Sequence, residues 1–140
     1  MLRIKSNDNI IIDFDLRLMC YESKFIYNLF LLNDKNNNEV EIFYNSNKEI
    51  EIDYNSNYLI LLKKYFDNCI LNTDKFLSNL NKKDLIDIIN ISHFLNIDRL
   101  YNKSCNLISK DIKNCKNEHE IISYFNLKLT NEELEEIKNN

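Results

Sequence analysis

The 140-residue chain contains no glycine, proline or tryptophan, and it also lacks alanine and glutamine. Without glycine there is no Gly-rich loop of the kind that cradles phosphate groups in nucleotide-binding proteins. Glycine, proline and alanine share GC-rich codons, so the bias indicates an AT-rich genome, such as that of a large DNA virus or some protists. Asn and Asp must then take the tight turns and left-handed positions. We therefore predict turns at residues 7–9, 36–38, 45–47 and 55–57.

The chain also lacks an excess of positive charge and any long hydrophobic run. Its formal net charge is −4 and its pI is near 5.2, which argues against nucleic acid as a partner. No stretch approaches the ~18 uninterrupted apolar residues of a membrane span, and the first residues lack the apolar core of a secretory signal. We expect an intracellular protein, cytoplasmic or nuclear (in the host cell if the genome is viral), with no membrane partner.

Signatures of a metal site or a catalytic centre are missing as well. The four cysteines form no C-x-x-C pair, and the two histidines, His93 and His119, stand alone. The carboxylate pairs at 13 and 15 and at 49 and 51 alternate outward on predicted strands, with no nucleophile or histidine nearby. We therefore expect reduced thiols, no metal, no cofactor and no enzymatic activity. The cysteines are Cys20, Cys69, Cys105 and Cys115.

What the chain does contain is a strong alternation of apolar and polar residues. The hydrophobic fraction is 44%, which is enough for one folded domain of this length. Period-two alternation predicts a hairpin from residues 2–5 and 10–15, and two more strands at 39–44 and 49–53 in the same sheet. Helical spacing predicts helices that begin at Leu16, at a Ser23 cap and at a Ser56 cap. A central, largely buried helix is predicted at 85–95, followed by another that opens at Asp98. Residues 33–38 form a predicted loop.

For two of these helices, the sequence predicts which residues face the core. Phe25, Ile26, Leu29 and Phe30 form a buried stripe on the helix after Ser23. On the helix after Asp98, the residues predicted to point inward are Leu100, Tyr101, Ser104, Cys105, Ile108 and Ile112. Strands followed by helices indicate an α+β fold, a small sheet covered by helices with a helical extension at the C-terminus.

Predicted N-terminal caps mark the beginnings of three helices in the C-terminal part of the chain. Three pairs have capping-box spacing: Asn81 with Asp84, Asn117 with Glu120, and Thr130 with Glu133. The last two helices span only about two turns each, too short to be stable alone in water. Their apolar faces either close the domain's own core or dock on a partner, and we favour the partner. We predict a body at residues 1–112 and an extension at 113–140, forming one compact unit.

The amino-acid sequence of the central helix resembles that of a known family. Residues 85–100 read L-I-D-I-I-N-I-S-H-F-L-N-I-D-R-L, which is similar to the Skp1 pattern L-x-E-L-I-x-A-A-N-Y-L-D-I-K-x-L. The similarity continues at 104–105, where S-C matches T-C, and at 120–127, where E-I-I-S-Y-F-N-L matches E-I-R-x-x-F-N-I. It ends at 129–133, where L-T-N-E-E matches F-T-E-E-E. Upstream, residues 7–15 resemble the S-D-G-x-x-F-x-V-D start, with Asn9 where glycine is usual. The F-N-I element separates the Skp1 family from elongin C and from plain BTB/POZ domains.

The resemblance implies a BTB/POZ-like fold and an adaptor function. Skp1-like proteins link an F-box substrate receptor to a cullin in SCF ubiquitin ligases, so the expected partners are an F-box protein and a cullin N-terminal domain. The cullin-facing residues implied are His93 and Phe94. The F-box-binding residues implied are Leu100, Tyr101, Cys105, Ile108, Ile121, Ile122, Phe125, Asn126, Leu127, Leu134 and Ile137.

Departures from the family pattern leave alternatives open. His93-Phe94 replaces N-Y on the cullin-facing helix, which removes an amide and a phenol hydroxyl at a net cost of roughly 1 kcal/mol each if both were used. The chain ends at Asn140, before the W-C-containing tail of typical members, so a lower F-box affinity or a narrower set of receptors is expected. One alternative is a decoy that captures F-box proteins without a cullin. Another is a BTB-type scaffold that self-associates as a weak homodimer.

Overall fold

The computed structural model describes residues 1–31, 44, 46–69, 71–117 and 119–120. Within these ranges the fold is α+β, as predicted, with a small mixed sheet covered by helices. The strands are β1 (Leu2–Lys5), β2 (Ile11–Phe14) and β3 (Lys48–Glu51). The helices are α1 (Leu16–Glu22), α2 (Lys24–Leu31), α3 (Ser56–Lys64), α4 (Thr73–Ser78), α5 (Lys82–Phe94) and α6 (Asp98–Lys113), and α3 continues as a π-helical segment, Tyr65–Cys69.

Some predictions lie outside the described residues. These are the loop at 33–38, residues 39–43 of the strand predicted at 39–44, and the helix that Thr130 and Glu133 would open. Tyr44 is described and is helical, so the strand prediction was wrong at that residue. Most of the helix after Asn117 also lies outside them. In the part of the chain that is described, no helix is both long enough and apolar enough to cross a membrane.

The sheet has the order β2-β1-β3. β1 and β2 pair antiparallel, with Ile4 opposite Ile12, which confirms the predicted hairpin. β3 pairs with β1 in parallel, with Ile4 opposite Ile50, which confirms that the strand predicted at 49–53 belongs to the same sheet as the hairpin. Side chains alternate between the faces as strand geometry requires. Leu2 and Ile4 are buried, whereas Arg3 faces solvent and forms an ion pair with Asp13.

The hairpin turn also contacts the start of α3. Asn9 takes a left-handed conformation, φ 67°, as expected where a chain without glycine must turn. The Asp8 carboxylate accepts hydrogen bonds from the Ser56 amide at 2.9 Å and from the Ser56 hydroxyl at 2.6 Å. The prediction that Ser56 caps α3 was wrong by one residue. Asn55 is the N-cap and accepts from the Asn57 amide at 3.0 Å, so residues 55–57 begin a helix rather than form a turn.

Helix α2 is capped as predicted but is buried less than predicted. The Ser23 hydroxyl accepts a hydrogen bond from the Ile26 amide at 3.1 Å, which confirms the cap. Ile26 is fully buried, and Phe25 and Phe30 are half-buried, but Leu29 is 53% exposed. The buried-stripe prediction was therefore wrong for Leu29.

One helix was not predicted at all. Asn72 caps α4 by accepting from the Lys75 amide at 3.3 Å, and Phe76 and Leu77 are buried. The asparagine followed by an apolar pair was the available signal. The helix is short, and its apolar residues cover less than two full helical repeats, so periodicity alone does not reveal it.

The predicted central helix is confirmed in α5. Its Asn81 cap accepts from the Asp84 amide at 2.8 Å, and Leu85, Ile88 and Ile91 are buried. α5 packs against both α3 and α6, so apolar residues occupy more than one of its faces. α6 is amphipathic and buries a narrower stripe that includes Leu100.

Candidate protein-interaction surface

The segment that resembles the Skp1 family folds as a helix, a tight turn and a second helix. α5 ends at Phe94, and Asn96 then takes a left-handed conformation, φ 52°. The Asn96 amide donates to the carbonyl of His93 at 3.2 Å, and the Ile97 amide donates to the carbonyl of Ser92 at 2.9 Å. This pair of bonds is a Schellman motif, in which a left-handed residue satisfies the last carbonyls of a helix. Asparagine takes here the position that glycine usually fills.

Residues at the start of α2 hold this turn in place. The Ser23 hydroxyl donates to the Leu95 carbonyl, and the Lys24 amide donates to the Asn96 carbonyl at 3.2 Å. The Lys24 ammonium lies 2.6 Å from the Asp98 carboxylate at the first residue of α6. Because each of these partners is distant in sequence, the bonds hold the α5–α6 corner in one orientation.

His93 and Phe94, the residues expected to face a cullin, lie at this corner. His93 is exposed, which confirms its predicted surface position, and its ring lies 5.0 Å from the ring of Tyr101. Phe94 is half-buried, and its ring centroid lies 5.2 Å from that of Phe25 and 5.2 Å from that of Tyr54. Their role in cullin binding stays a prediction.

An aromatic patch continues from Phe94 and was not predicted from the sequence. We define it as the half-buried rings of Phe25, Tyr54, Tyr58 and Phe94. The rings of Tyr54 and Tyr58 lie 5.0 Å apart in an edge-to-face arrangement, which is a favourable geometry for an aromatic pair. Tyr54 and Tyr58 carry no distinguishing motif in the sequence. The four-residue spacing between the two tyrosines was the only sequence feature that could have indicated the patch.

Asp87 of α5 lies at the edge of this patch, beside the Tyr58 phenol. Burial raises the pKa of Tyr58, and the Asp87 charge raises it further. Burial also raises the pKa of Asp87, and the charge of Lys83 opposes that rise without cancelling it. The Asp87 carboxylate is thus held in a half-buried position that favours its neutral form.

The described residues expected to bind an F-box divide into two groups. Leu100 is fully buried and Ile108 is 8% exposed, so both contribute to the core of the described structure. Tyr101 and Cys105 are half-buried and reach the surface one turn apart on α6. A hydrogen bond with the Cys105 side chain raises the pKa of Tyr101. The other seven residues lie outside the described ranges: Ile121, Ile122, Phe125, Asn126, Leu127, Leu134 and Ile137.

The cap that would begin the C-terminal extension is present at the limit of the described chain. Asn117 accepts a hydrogen bond from the Glu120 amide at 3.0 Å, and the Glu120 carboxylate accepts from the Lys116 amide. The predicted pairing of Asn117 with Glu120 is confirmed.

A second surface feature lies between α1 and α2. It is a cavity of about 500 Å³ whose lining includes Arg17, Tyr21, Lys24, Tyr27 and Tyr44. The Arg17 guanidinium lies 4.4 Å from the centre of the Tyr44 ring, and Tyr21 is 84% exposed. None of the sequence-predicted site residues that the structure describes lines this cavity.

Cys20, Cys105 and Cys115 are free thiols. Cys20 is buried, and this burial raises its pKa to about 11. Cys105 and Cys115 are half-buried. Within the described ranges, no group of three or more His, Cys, Asp or Glu side chains is arranged to hold a metal ion.

Comparison with known proteins adds no relative to this picture. A scan of the chain against protein-family models finds no match, and a search of curated proteins finds no match either.

Proposed function

We propose that this chain is a Skp1-like adaptor that links an F-box substrate receptor to a cullin in an SCF-type ubiquitin ligase. One observation carries the proposal. Residues 85–100, whose sequence resembles the Skp1 family, form one helix–turn–helix corner. His93 and Phe94, at the family's cullin-facing position, lie at the surface of that corner. Such an adaptor catalyses no reaction and acts by holding two proteins together in ubiquitin-dependent degradation.

The rigidity of the corner supports this function. The Schellman motif and the bonds from Ser23 and Lys24 hold His93 and Phe94 in position before any partner arrives. A preorganised surface loses less conformational entropy on binding, so more of the contact energy remains as affinity. In the proposal, residues 1–112 contact the cullin, and the extension at 113–140 holds the F-box together with Tyr101 and Cys105.

Binding of the full chain to both partners tests the proposal. The chain is mixed with an F-box peptide, with a cullin N-terminal domain, and with both, and complexes are separated by size-exclusion chromatography. We expect a ternary complex. Recovery of neither binary complex would overturn the adaptor function.

A variant in the extension sharpens the test. Phe125→Ala should weaken F-box binding while leaving cullin binding and the thermal unfolding midpoint unchanged. Leu29→Ala is the matched control, because Leu29 is an exposed apolar residue on α2 and belongs neither to the His93–Phe94 pair nor to the extension. A large loss of stability in Phe125→Ala, roughly 3–5 kcal/mol, would instead assign Phe125 to the core.

A specific observation favours a second candidate, a decoy that captures F-box proteins without recruiting a cullin. His93 and Phe94 provide neither the amide nor the phenol hydroxyl of the family's N-Y pair. F-box binding without cullin binding would support the decoy. The double variant His93→Asn/Phe94→Tyr should then gain cullin affinity. A stable homodimer in sedimentation velocity without partners would favour the self-associating scaffold instead.

A further inference from the structure

The cavity between α1 and α2 is lined by two similar pairs of side chains, one pair from each helix. Arg17 and Tyr21 are four residues apart on α1, and Lys24 and Tyr27 are three residues apart on α2. Residues at these spacings are neighbours on one face of a helix. Each helix therefore contributes one cation and one phenol ring to the lining of the same space of about 500 Å³.

The charge of the lining favours an anion over a cation. Aromatic rings alone would also suit a cation, because the face of a ring carries partial negative charge. Here the Arg17 guanidinium already lies over the Tyr44 ring, 4.4 Å from its centre, and the Lys24 ammonium adds a second positive charge. No carboxylate is found among the lining residues that the structure describes. A further cation would therefore be repelled from this cavity, and an anion would be attracted.

The one thiol in the lining does not weaken this preference. Cys20 is buried, and its burial raises the pKa of the thiol to about 11. The thiol is therefore neutral at pH 7 and adds no negative charge that would repel an anion.

The combination of cations and rings indicates a phosphate group attached to an aromatic ring. A guanidinium can stack on a ring through its face and donate hydrogen bonds to a phosphate from its edge. A phosphate monoester carries a charge of about −1.5 to −2 at pH 7, so it matches two cations better than a singly charged carboxylate does. Tyr21 and Tyr27 are 84% and 45% exposed, so both rings are accessible to a bound ring. A cavity of this size is large enough for such a ligand.

We propose that the cavity between α1 and α2 binds an aromatic phosphate, with the phosphate held by Arg17 and Lys24 and the ring packed against Tyr21 and Tyr27. Such a group belongs either to a phosphorylated tyrosine of another protein or to a free small molecule, and the two share the same chemistry. The inference does not rest on the proposed function, because none of the described residues assigned to cullin or F-box binding lines the cavity.

The ion pair of Lys24 makes the proposal testable through a gain of affinity. The Lys24 ammonium lies 2.6 Å from the Asp98 carboxylate, so a bound phosphate competes with Asp98 for this cation. Removing the competitor in Asp98→Asn should tighten binding severalfold, and a gain of affinity cannot result from unfolding. The matched control is Asp74→Asn, because Asp74 lies in the first turn of α4 and pairs with Lys103. This control removes the same charge from the chain and should leave the affinity unchanged.

Loss of affinity in other variants locates the two parts of the ligand. Affinity of the full chain for phenyl phosphate is measured by calorimetry, and Arg17→Gln and Lys24→Gln should each weaken it about tenfold. Tyr27→Leu should weaken the binding of phenyl phosphate but not that of inorganic phosphate, because only the ring contact is lost. The controls are Arg3→Gln and Lys103→Gln, each of which removes a cation from an ion pair outside the cavity. Both should bind phenyl phosphate like the wild type.

A set of probes separates the parts and the source of the ligand. Inorganic phosphate and phenol should each bind about tenfold more weakly than phenyl phosphate, because each makes only part of the contacts. A short phosphotyrosine peptide that binds more tightly than phenyl phosphate would assign the ligand to a protein. A peptide that binds no more tightly would assign it to a small molecule.

Several results would overturn the inference. The first is that neither phenyl phosphate nor the peptide binds at millimolar concentration. The second is wild-type affinity in both Arg17→Gln and Lys24→Gln, or equal affinity for inorganic phosphate and phenyl phosphate. An unchanged affinity in Asp98→Asn would contradict the role of Lys24. All of these measurements are made without a cullin or an F-box, so their failure is distinct from a failure of the adaptor function.

Discussion

The hydroxyl of Ser23 donates a hydrogen bond to the backbone carbonyl of Leu95, 72 residues further along the chain. The same hydroxyl oxygen accepts a hydrogen bond from the Ile26 amide. One small side chain therefore caps α2 and attaches it to the end of α5. Both Ser23 and Leu95 are fully buried, so neither group has water as a substitute partner.

Removing this hydroxyl should destabilise the fold. In Ser23→Ala, α2 loses its N-cap, and the Leu95 carbonyl keeps a long 3.4 Å bond from the Phe25 amide. We expect a loss of about 1–3 kcal/mol in the free energy of unfolding, measured by urea denaturation. Ser78→Ala is the control, because the Ser78 hydroxyl bonds a carbonyl at the exposed end of α4. A urea midpoint of Ser23→Ala equal to that of the wild type would contradict the role of the Ser23 hydroxyl as both hydrogen-bond donor and acceptor.

The two left-handed asparagines should tolerate substitution by glycine but not by alanine. Asn9 and Asn96 have φ values of 67° and 52°. Alanine at either position should cost about 1 kcal/mol, because its Cβ clashes with the backbone in this conformation, whereas glycine should be tolerated. The control is Asn79→Ala, at an exposed residue with φ −91°. Differential scanning calorimetry gives the ranking. Equal effects of alanine at all three positions would count against it.

The contact between Asp8 and Ser56 predicts a pH dependence of stability. Hydrogen bonds from the Ser56 side chain, and then from that of Ser6, lower the pKa of Asp8 below its ordinary value of 3.8. Because the pKa is lowered in the folded state, the stabilisation is present above pH 3.8 and is lost as the pH falls through the folded pKa.

We therefore expect Asp8→Asn to lower the thermal midpoint at pH 6 and to have no such effect once the pH is below the folded-state pKa of Asp8. Ser56→Ala supplies the matched background, since most of the pH dependence attributed to Asp8 should disappear in it. A constant gap between Asp8→Asn and the wild type over this whole range would refute the assignment.

Asp87 should affect the pH dependence of stability in the opposite direction. Burial raises its pKa in the folded state, so its carboxylate form destabilises the fold above that pKa and the effect is absent below the ordinary value of 3.8. Asp87→Asn is thus expected to raise the thermal midpoint at pH 7 and to match the wild type in acid. A lower midpoint at pH 7 would mean that the Lys83 contact outweighs the cost of burial.

The thiols should differ in reactivity. With its pKa raised to about 11, Cys20 holds about 100-fold less thiolate at neutral pH than a thiol with the ordinary pKa of 9.0, and it is also buried. Maleimide labelling followed by peptide mass spectrometry should modify Cys105 and Cys115 well before Cys20. Labelling in denaturant serves as the control, because the difference should vanish there. Early modification of Cys20 in the folded protein would contradict its burial.

Features that depend on neighbouring residues were predictable. The hairpin followed from alternation, and the caps at Ser23, Asn81 and Asn117 followed from bonds that reach only three residues along the chain. The cap of α3 was misplaced by one residue because Asn55 and Ser56 are both good caps. Ser56 is instead bound by Asp8, from a distant part of the sequence.

The sequence alone determined the α+β class, the hairpin and the central helix α5, because these depend on local periodicity and capping. Only the tertiary structure decided that α2 attaches to the end of α5, that Leu29 is left exposed and that Phe25, Tyr54, Tyr58 and Phe94 form one patch. Residues from three separate elements meet in that patch. Their meeting depends on how α2 and α3 pack against α5, which no local pattern of residues encodes.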